Sequence, residues 1–509
     1  MSLLCGRGIN QPLIPARDDS LTVAARSRNM PPRPTPVLDP AMSVVIETYE
    51  QALAYLHGRI NFERTSAHLS ATDFKLDRMR HLLDRVGNPQ DRIPAVHVAG
   101  TKGKGSTAAM IAAALRASGY VVGLFTSPHI ERFEERIRVN GECIEPEMLV
   151  SLVRQLATVV SEIDEESGGL NPTYFELTTS LGWLYFQHRR TDIVVLEVGL
   201  GGRLDSTNIC RPEVSVITTI SRDHTQVLGS RLSEIAGEKC GIIKDGIPVV
   251  SGVLAAEARA VVEQFADSRQ AKLSQLERDF GYVIRSVANL AVADLAVADS
   301  AAADPAACIA LQEVEVTVAA ESYRLKLALL GRHQGHNAAV AVATLCALRD
   351  RGWRITIDAL PEAFLKVEWP ARIQVVSTQP YVILDAAHNW ASVSALVRTI
   401  DELPCSGRRC LILSTTKDKD SLGLLRQLLP AFDTIIVTQY VTNPRAVPAA
   451  ELQRMIASMS LRSVHLANSP EAAWLIARQL TTEADLICIA GSFFLAAELQ
   501  PIVTQSTRS

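Results

Sequence analysis

The stretch VAGTKGKGST, Val98 to Thr107, combines glycines, lysines and hydroxyl side chains in a way that suits phosphate. The general phosphate-loop pattern is G-x-x-x-x-G-K-[ST]. Counting back five residues from Gly103 gives Val98 rather than glycine, and Gly105 separates Lys104 from Ser106. The pattern is therefore a variant. Its context is the right one: PAVHVA reads as a buried strand and STAAMIAAALRASG as a helix closed by Gly119. A glycine loop between strand and helix turns backbone N–H groups and a helix N-terminus toward an anion. The alternative is a glycine-rich turn with an incidental lysine.

Three further strand ends carry polar residues. YVVGLFT runs into Ser127, DIVVL ends at Glu197, and EVSVITTIS ends near Asp223-His224. In open parallel sheets ligands sit beyond the carboxyl ends of the strands. Lys104, Ser106, Ser127, Glu197 and His224 are thus expected along one edge, near one bound phosphate. A nucleoside triphosphate comes with magnesium, which takes oxygen ligands. Ser127 and Glu197 are hard donors for it and His224 a softer one. Glu197 could instead pair with Arg203, and His224 could be a satisfied core histidine.

These residues need a scaffold. The 509 residues exceed one ordinary core, so two or more domains are expected. From 43 to 355 apolar runs alternate with helical stretches. The runs are continuous, as in parallel strands covered on both faces. This predicts an α/β nucleotide-binding domain with a parallel-rich central sheet. A second series (YVILDAA, RRCLILSTT, TIIVTQY, SVHLAN, DLICIAG) predicts a smaller α/β domain over 373–509, with a hinge at 356–372. Residues 1–42 are Pro-rich and aperiodic. They read as a disordered tail, or as an extension upstream of a functional start near Met42. The Ala/Asp-rich 289–307 reads as a surface insertion. A net charge of −4 gives no reason to expect nucleic acid or an anionic membrane as partner. Nine cysteines without a C-x-x-C pair fit a reducing cytoplasm. No apolar run has the length of a membrane-spanning helix.

Together HVAGTKGKGST, GLFTSPH, TYFELTT, EVGLGGRLDSTN, DHTQVLG, IAGEKCGIIKDGIPVV, GRHQGHNAA, WPARI, DAAHN and GSFFL resemble the folylpolyglutamate synthase/dihydrofolate synthase family of the Mur ligase superfamily. The resemblance covers Tyr49 to Leu499. It implies a Mur-ligase-like ATP-binding domain, a smaller C-terminal Rossmann-like domain, and an active site between them. It also implies a monomer that joins L-glutamate to tetrahydrofolates, to dihydropteroate, or to both, using ATP and two magnesium ions. By that resemblance Gly103, Lys104, Gly105 and Ser106 hold the ATP phosphates, and Asn337, Arg372 and Asp385 contact ATP. Ser127, Glu197 and His224 serve magnesium. Phe175, Glu176, Thr178, Leu204, Asp205 and Ser206 lie near the pterin. Lys239 corresponds to the family's carbamylated lysine (N6-carboxylysine); otherwise it is an ammonium contacting phosphate. His388 either places glutamate or the transferred phosphate, or is an interface histidine. The chain departs from the pattern at Lys102, Arg222, Ala386 and Trp390 without losing a residue assigned to chemistry.

The implied reaction turns a carboxylate into an acyl phosphate, which the glutamate amine then opens. Two rivals remain at this level: another Mur-type amino-acid ligase, and a nucleotide-binding relative without catalysis.

Overall fold

A computed structural model describes residues 46–63, 76–166, 171–291, 308–403, 405–417, 419–460, 462 and 464–506. The expected N-terminal tail lies outside them. The larger lobe is built on an eight-stranded sheet. Its strands are β1 (Ala95–Ala99), β2 (Val122–Phe125), β3 (Ile137–Val139), β4 (Glu142–Cys143), β5 (Ile193–Glu197), β6 (Val214–Ile217), β7 (Val249–Ser251) and β8 (Leu273–Gln275). Their order is β4-β3-β2-β5-β1-β6-β7-β8, parallel except at β3 and β4. Every residue of β1, β2, β5, β6 and β7 is buried, which explains their unbroken apolar sequences. Helices Lys104–Ala117 and Arg332–Asp350 pack into the core on one face, through Met110, Ile111, Val340 and Leu345. Helices Leu232–Cys240 and Ala256–Ser268 close the other face around Ile235 and Val262.

An antiparallel sheet of β9 (Phe280–Ala291), β10 (Cys308–Val318) and β11 (Glu321–Leu327) lies against the first of these cores. Strand β11 alternates buried and exposed residues, the mark of a sheet with one wet face. The expected insertion falls at the tip of the β9–β10 hairpin. Residues 289–291, expected to open the insertion, are strand paired with 308–310. Residues 292–307 lie outside the described residues.

The smaller lobe has six strands: β12 (Gln374–Thr378), β13 (Tyr381–Leu384), β14 (Arg409–Leu413), β15 (Thr434–Val437), β16 (Val464–Leu466) and β17 (Leu486–Ala490). Their order is β12-β13-β17-β14-β15-β16, with only β12 antiparallel. The connection between lobes is shorter than the 356–372 predicted. Leu360, Ala363, Phe364 and Val367 are buried in the core of the larger lobe, because LPEAFLKV folds into a helix with one apolar face. Beyond this helix the chain bends sharply: Ala371 and Ile373 both adopt left-handed backbone conformations, φ 53° and 49°. Such a conformation costs a non-glycine residue about 1–2 kcal/mol. Asp385 and Ala386 hold it in place from the end of β13. Ile373 N–H donates to Asp385 Oδ2 (2.7 Å), and Ala386 N–H donates to the Ala371 carbonyl (3.0 Å).

Among the described residues no helix is long and apolar enough to cross a membrane, and Cys143, Cys210, Cys240, Cys346, Cys405, Cys410 and Cys488 are free thiols.

Candidate active site

Strands β1, β2, β5 and β6 are mutually parallel, so their carboxyl ends share one edge as expected. From β1 the chain enters the glycine loop and turns into helix Lys104–Ala117. Gly103 is its N-cap, at φ 84°. A Cβ there would lie 2.2 Å from Asn337 Oδ1, so only glycine allows this approach. No side chain caps the helix, and its first turn has no acidic residue. Its first N–H groups therefore stay available for an anion. Asn337 Nδ2 donates to Gln334 Oε1 (2.9 Å), and Gln334 Nε2 donates to Ser106 Oγ (3.4 Å). Gln334 is fully buried and does not stand out in the sequence. Its place one helical turn before Asn337 is the available signal.

Glu197, at the end of β5, is buried. One carboxylate oxygen accepts from the Ser127 N–H (3.1 Å), and the other lies 3.9 Å from Lys104 Nζ. Arg203 does not pair with it; that guanidinium binds Glu238 at 2.8 Å. Burial pushes the Glu197 carboxyl up, and Lys104 only partly opposes this. A buried, under-compensated oxygen donor with Ser127 beside it fits a hard divalent cation. Among the described residues no group of three His, Cys, Asp or Glu side chains gathers into a metal cage. Any ion held here would keep ligands from solvent or phosphate, as magnesium does. His224 sits beyond β6, itself left-handed (φ 50°), with its imidazole more than half exposed. Its neighbour Asp223 binds Lys102 Nζ at 2.9 Å.

Lys239, in helix Leu232–Cys240, is buried, and its amine donates to the Gly100 carbonyl (3.0 Å) at the base of the loop. Burial, reinforced by Lys104, pushes the amine down to about 7. A substantial fraction is therefore neutral and nucleophilic near pH 7.

The smaller lobe supplies the opposite wall. A cavity between the lobes is lined by Gly105, Ser127 and Glu197 on one side, Trp369 and Arg372 in the connection, and Phe493 on the other. Trp369 closes over the loop; a Cβ on Gly105 would meet its ring at 2.7 Å. Asp385 accepts N–H bonds from Ile373 and Ala387, both at 2.7 Å, so its carboxylate is engaged in shaping the connection around Arg372. Burial pushes this carboxyl up to about 6, against the charge of Arg372. His388 Nδ1–H donates to the Ala386 carbonyl (2.8 Å), since a carbonyl can only accept. Burial and the charge of Lys102 push its imidazole down to about 3. It is neutral, with Nε2 left as an acceptor.

The residues expected near the pterin divide into two groups. Phe175 is partly open, packed edge-on to Phe125 and against Gly199. Leu204 is also partly open, and Ser206 Oγ meets Thr179 Oγ1 at 3.1 Å. Glu176 and Thr178 are engaged in structural bonds. Glu176 caps its own helix through the Thr173 N–H (2.7 Å) and pairs with Arg78 at 3.0 Å. Thr178 is completely buried, and its hydroxyl donates to the Tyr174 carbonyl (2.8 Å). Asp205 is likewise occupied, accepting from the Leu200 N–H (2.8 Å), the Thr207 N–H (3.0 Å) and the Thr207 hydroxyl. His97 Nε2 reaches the same hydroxyl at 2.9 Å. Asp205 therefore fixes the 200–207 loop. Arg136, fully buried, also escapes sequence reasoning; it binds Glu63 through two nitrogens (2.9 and 2.6 Å) and His129 Nδ1 at 2.7 Å.

Comparison with known proteins places the fold and the family. Residues 98–345 match the Mur ligase middle domain, and residues 371–493 match the Mur ligase glutamate ligase domain. The chain is 36% identical over 392 residues to the dihydrofolate synthase/folylpolyglutamate synthase of Bacillus subtilis, covering 75% of this chain and 82% of that protein. It is 33% identical to the folylpolyglutamate synthase of Lacticaseibacillus casei, over 89% and 98% of the two chains. Among solved structures, Mycobacterium tuberculosis folylpolyglutamate synthase complexed with ADP and AMPPCP superposes with a TM-score of 0.76 at 30% identity, over 89% and 98% of the two chains. E. coli FolC in complex with DHPP and ADP gives 0.73 at 29%, over 91% and 99%.

Proposed function

The chain belongs to the folylpolyglutamate synthase/dihydrofolate synthase family of Mur-type ligases, and from that membership we propose how its cleft divides the work of ATP-dependent glutamate ligation. The substrates are ATP, L-glutamate and a pteroyl carboxylate: a folate, and dihydropteroate as well. One observation carries the reading. The uncapped loop at Gly103 opens onto Lys104 and Glu197, and the cavity beside it is closed by Arg372 and Phe493 from the connection and the second lobe.

The pteroyl carboxylate attacks the γ-phosphorus of ATP. ADP leaves, and a mixed acyl phosphate forms. Phosphoryl transfer asks a protein mainly for positioning and charge neutralisation. Gly103, Gly105 and Ser106 offer loop groups to the phosphates, Lys104 supplies charge, and Asn337 braces the loop. Arg372 approaches from the connection. The glutamate amine, having lost one proton, then attacks the acyl carbon. The tetrahedral intermediate collapses to the amide and expels phosphate. Neutral His388, with Nε2 free to accept, suits an N–H of the incoming amine better than an anion. Phe175 and Leu204 are the partly open residues on the pterin side, with the buried Ser206 hydroxyl behind them. Trp369 and the two lobes keep water from the acyl phosphate.

Ser127, Glu197 and His224 would hold magnesium, which when bound neutralises phosphate charge. The neutral amine of Lys239 would add to carbon dioxide and lose a proton. The resulting carbamate would give a second ion an oxygen ligand. Lys239→Arg cannot form it. That variant should be inactive, and Lys239→Ala should regain part of its rate with added acetate. An active Lys239→Arg enzyme overturns the carbamate and leaves the ligase reading in place.

The ligase reading itself is tested by ADP release from purified protein. Release should depend on L-glutamate together with dihydropteroate or tetrahydrofolate. No glutamate-dependent release with either substrate would refute it.

A further inference from the structure

Lys102 stands two residues before Lys104, and its backbone is clamped. Its N–H donates to Thr219 Oγ1 (3.0 Å), and its carbonyl accepts from the hydroxyls of Thr218 (2.7 Å) and Thr219 (3.0 Å). Only the side chain is left to move. Its ammonium binds Asp223 Oδ2 at 2.9 Å, with 33% of the lysine and 19% of the aspartate side chain exposed.

The surroundings are unbalanced. The charge of Lys102 is felt at Lys239 and His224 of the larger lobe and at His388 of the smaller, and Lys104 and Arg372 act on Lys102 in turn. Lys102, Lys104, Arg372 and Lys419 thus act on one region against the carboxylates of Asp223, Glu197 and Asp385. That excess of positive charge calls for an anion from outside. The pair is part-buried, yet neither group is sealed from solvent, so an incoming anion can reach the ammonium. A terminal phosphate is the stronger partner for an ammonium.

We propose that Lys102 is a second phosphate-binding lysine, which leaves Asp223 for the terminal phosphate of a nucleoside triphosphate. Asp223, paired with the ammonium at 2.9 Å, is the partner it gives up. The proposal rests on the reading of the loop as the ATP site. It assigns Lys102 to the γ position, where the negative charge of a triphosphate exceeds that of a diphosphate.

The test is isothermal titration calorimetry with ADP and with the non-hydrolysable triphosphate AMPPCP, in magnesium buffer, on the full chain. Lys102→Asn should weaken AMPPCP about tenfold, the loss of one charge-assisted contact. ADP binding should change by less than about threefold. Lys102→Arg, which keeps the charge, should hold AMPPCP within about threefold of wild type. Melting curves without nucleotide check that each variant is folded. If the ion pair merely braces the loop, Lys102→Asn weakens ADP and AMPPCP equally and lowers the melting temperature. Equal losses, or none, overturn the proposal. Wild-type protein that binds neither nucleotide overturns the phosphate-site reading itself, an outcome distinct from failure of the Lys102 assignment.

Discussion

Gly103→Ala tests the loop geometry directly. The new Cβ would lie 2.2 Å from Asn337 Oδ1, whereas ordinary contact begins at 3.4 Å, so one side must give way by about 1.2 Å. At φ 84° alanine also bears the left-handed penalty of about 1–2 kcal/mol. If Asn337 retreats, its bond to Gln334 breaks inside the core, at a further cost of about 1–3 kcal/mol. The expected loss is therefore about 2–5 kcal/mol of unfolding free energy by urea titration. ADP affinity should fall at least about tenfold, because the loop N–H groups no longer converge. The clash and the backbone penalty separate in a double-mutant cycle. In an Asn337→Ala background only the backbone penalty remains, so the two substitutions should couple by the remaining about 1–3 kcal/mol. A single variant that loses less than about 1 kcal/mol, or strict additivity in the cycle, would refute the close approach of Gly103 and Asn337.

The same structure sets other outcomes. In CO2-free buffer, Lys239 titrates at about 7 in the folded chain against 10.5 unfolded, so the unfolded state binds more protons between those values. Wild-type stability should therefore rise with pH across that window relative to Lys239→Met; parallel urea curves would show the amine is not buried as described. The Asp385 carboxyl is raised from 3.8 to about 6, so here the folded state holds more protons. Stability relative to Asp385→Asn should fall as pH rises through that interval, and a difference that does not vary with pH would count against it. Glu63→Gln strips buried Arg136 of its carboxylate and should cost about 3 kcal/mol in chemical denaturation; a loss under about 1 kcal/mol would show that His129 and Tyr174 suffice. Replacing 292–307 with Asn-Gly should join β9 to β10 directly, with turnover and melting temperature nearly unchanged; a large loss of either would give that segment a role.

The parallel strands are legible in the sequence because burial on both faces writes itself as unbroken apolar runs such as DIVVLE and DLICIA. Shared polar ends then bring Lys104, Ser127 and Glu197 together correctly. The β9–β11 sheet is not legible, since it has one wet face and its hairpin runs into Ala/Asp-rich sequence. Glu176, Thr178 and Asp205 are placed near the pterin by the family resemblance, which does not tell a structural bond from a ligand contact. The three are consumed by bonds to nearby backbone, which the sequence does not display. Gln334 with Ser106 and Lys102 with Asp223 join residues more than a hundred positions apart. No local pattern could announce them.

The bend at Ala371–Ile373 has a mechanical meaning. A joint clasped by Asp385 and Ala386 does not absorb rotation; it transmits it. Arg372, although it lies in the connecting strand of chain, therefore travels as a rigid lever arm of the smaller lobe. The flexing must occur upstream, after Val367 leaves the larger lobe's core. Any swing of the smaller lobe is thereby delivered to one guanidinium facing Glu197. The separation of these two groups is a built-in gauge of how far the jaws have shut.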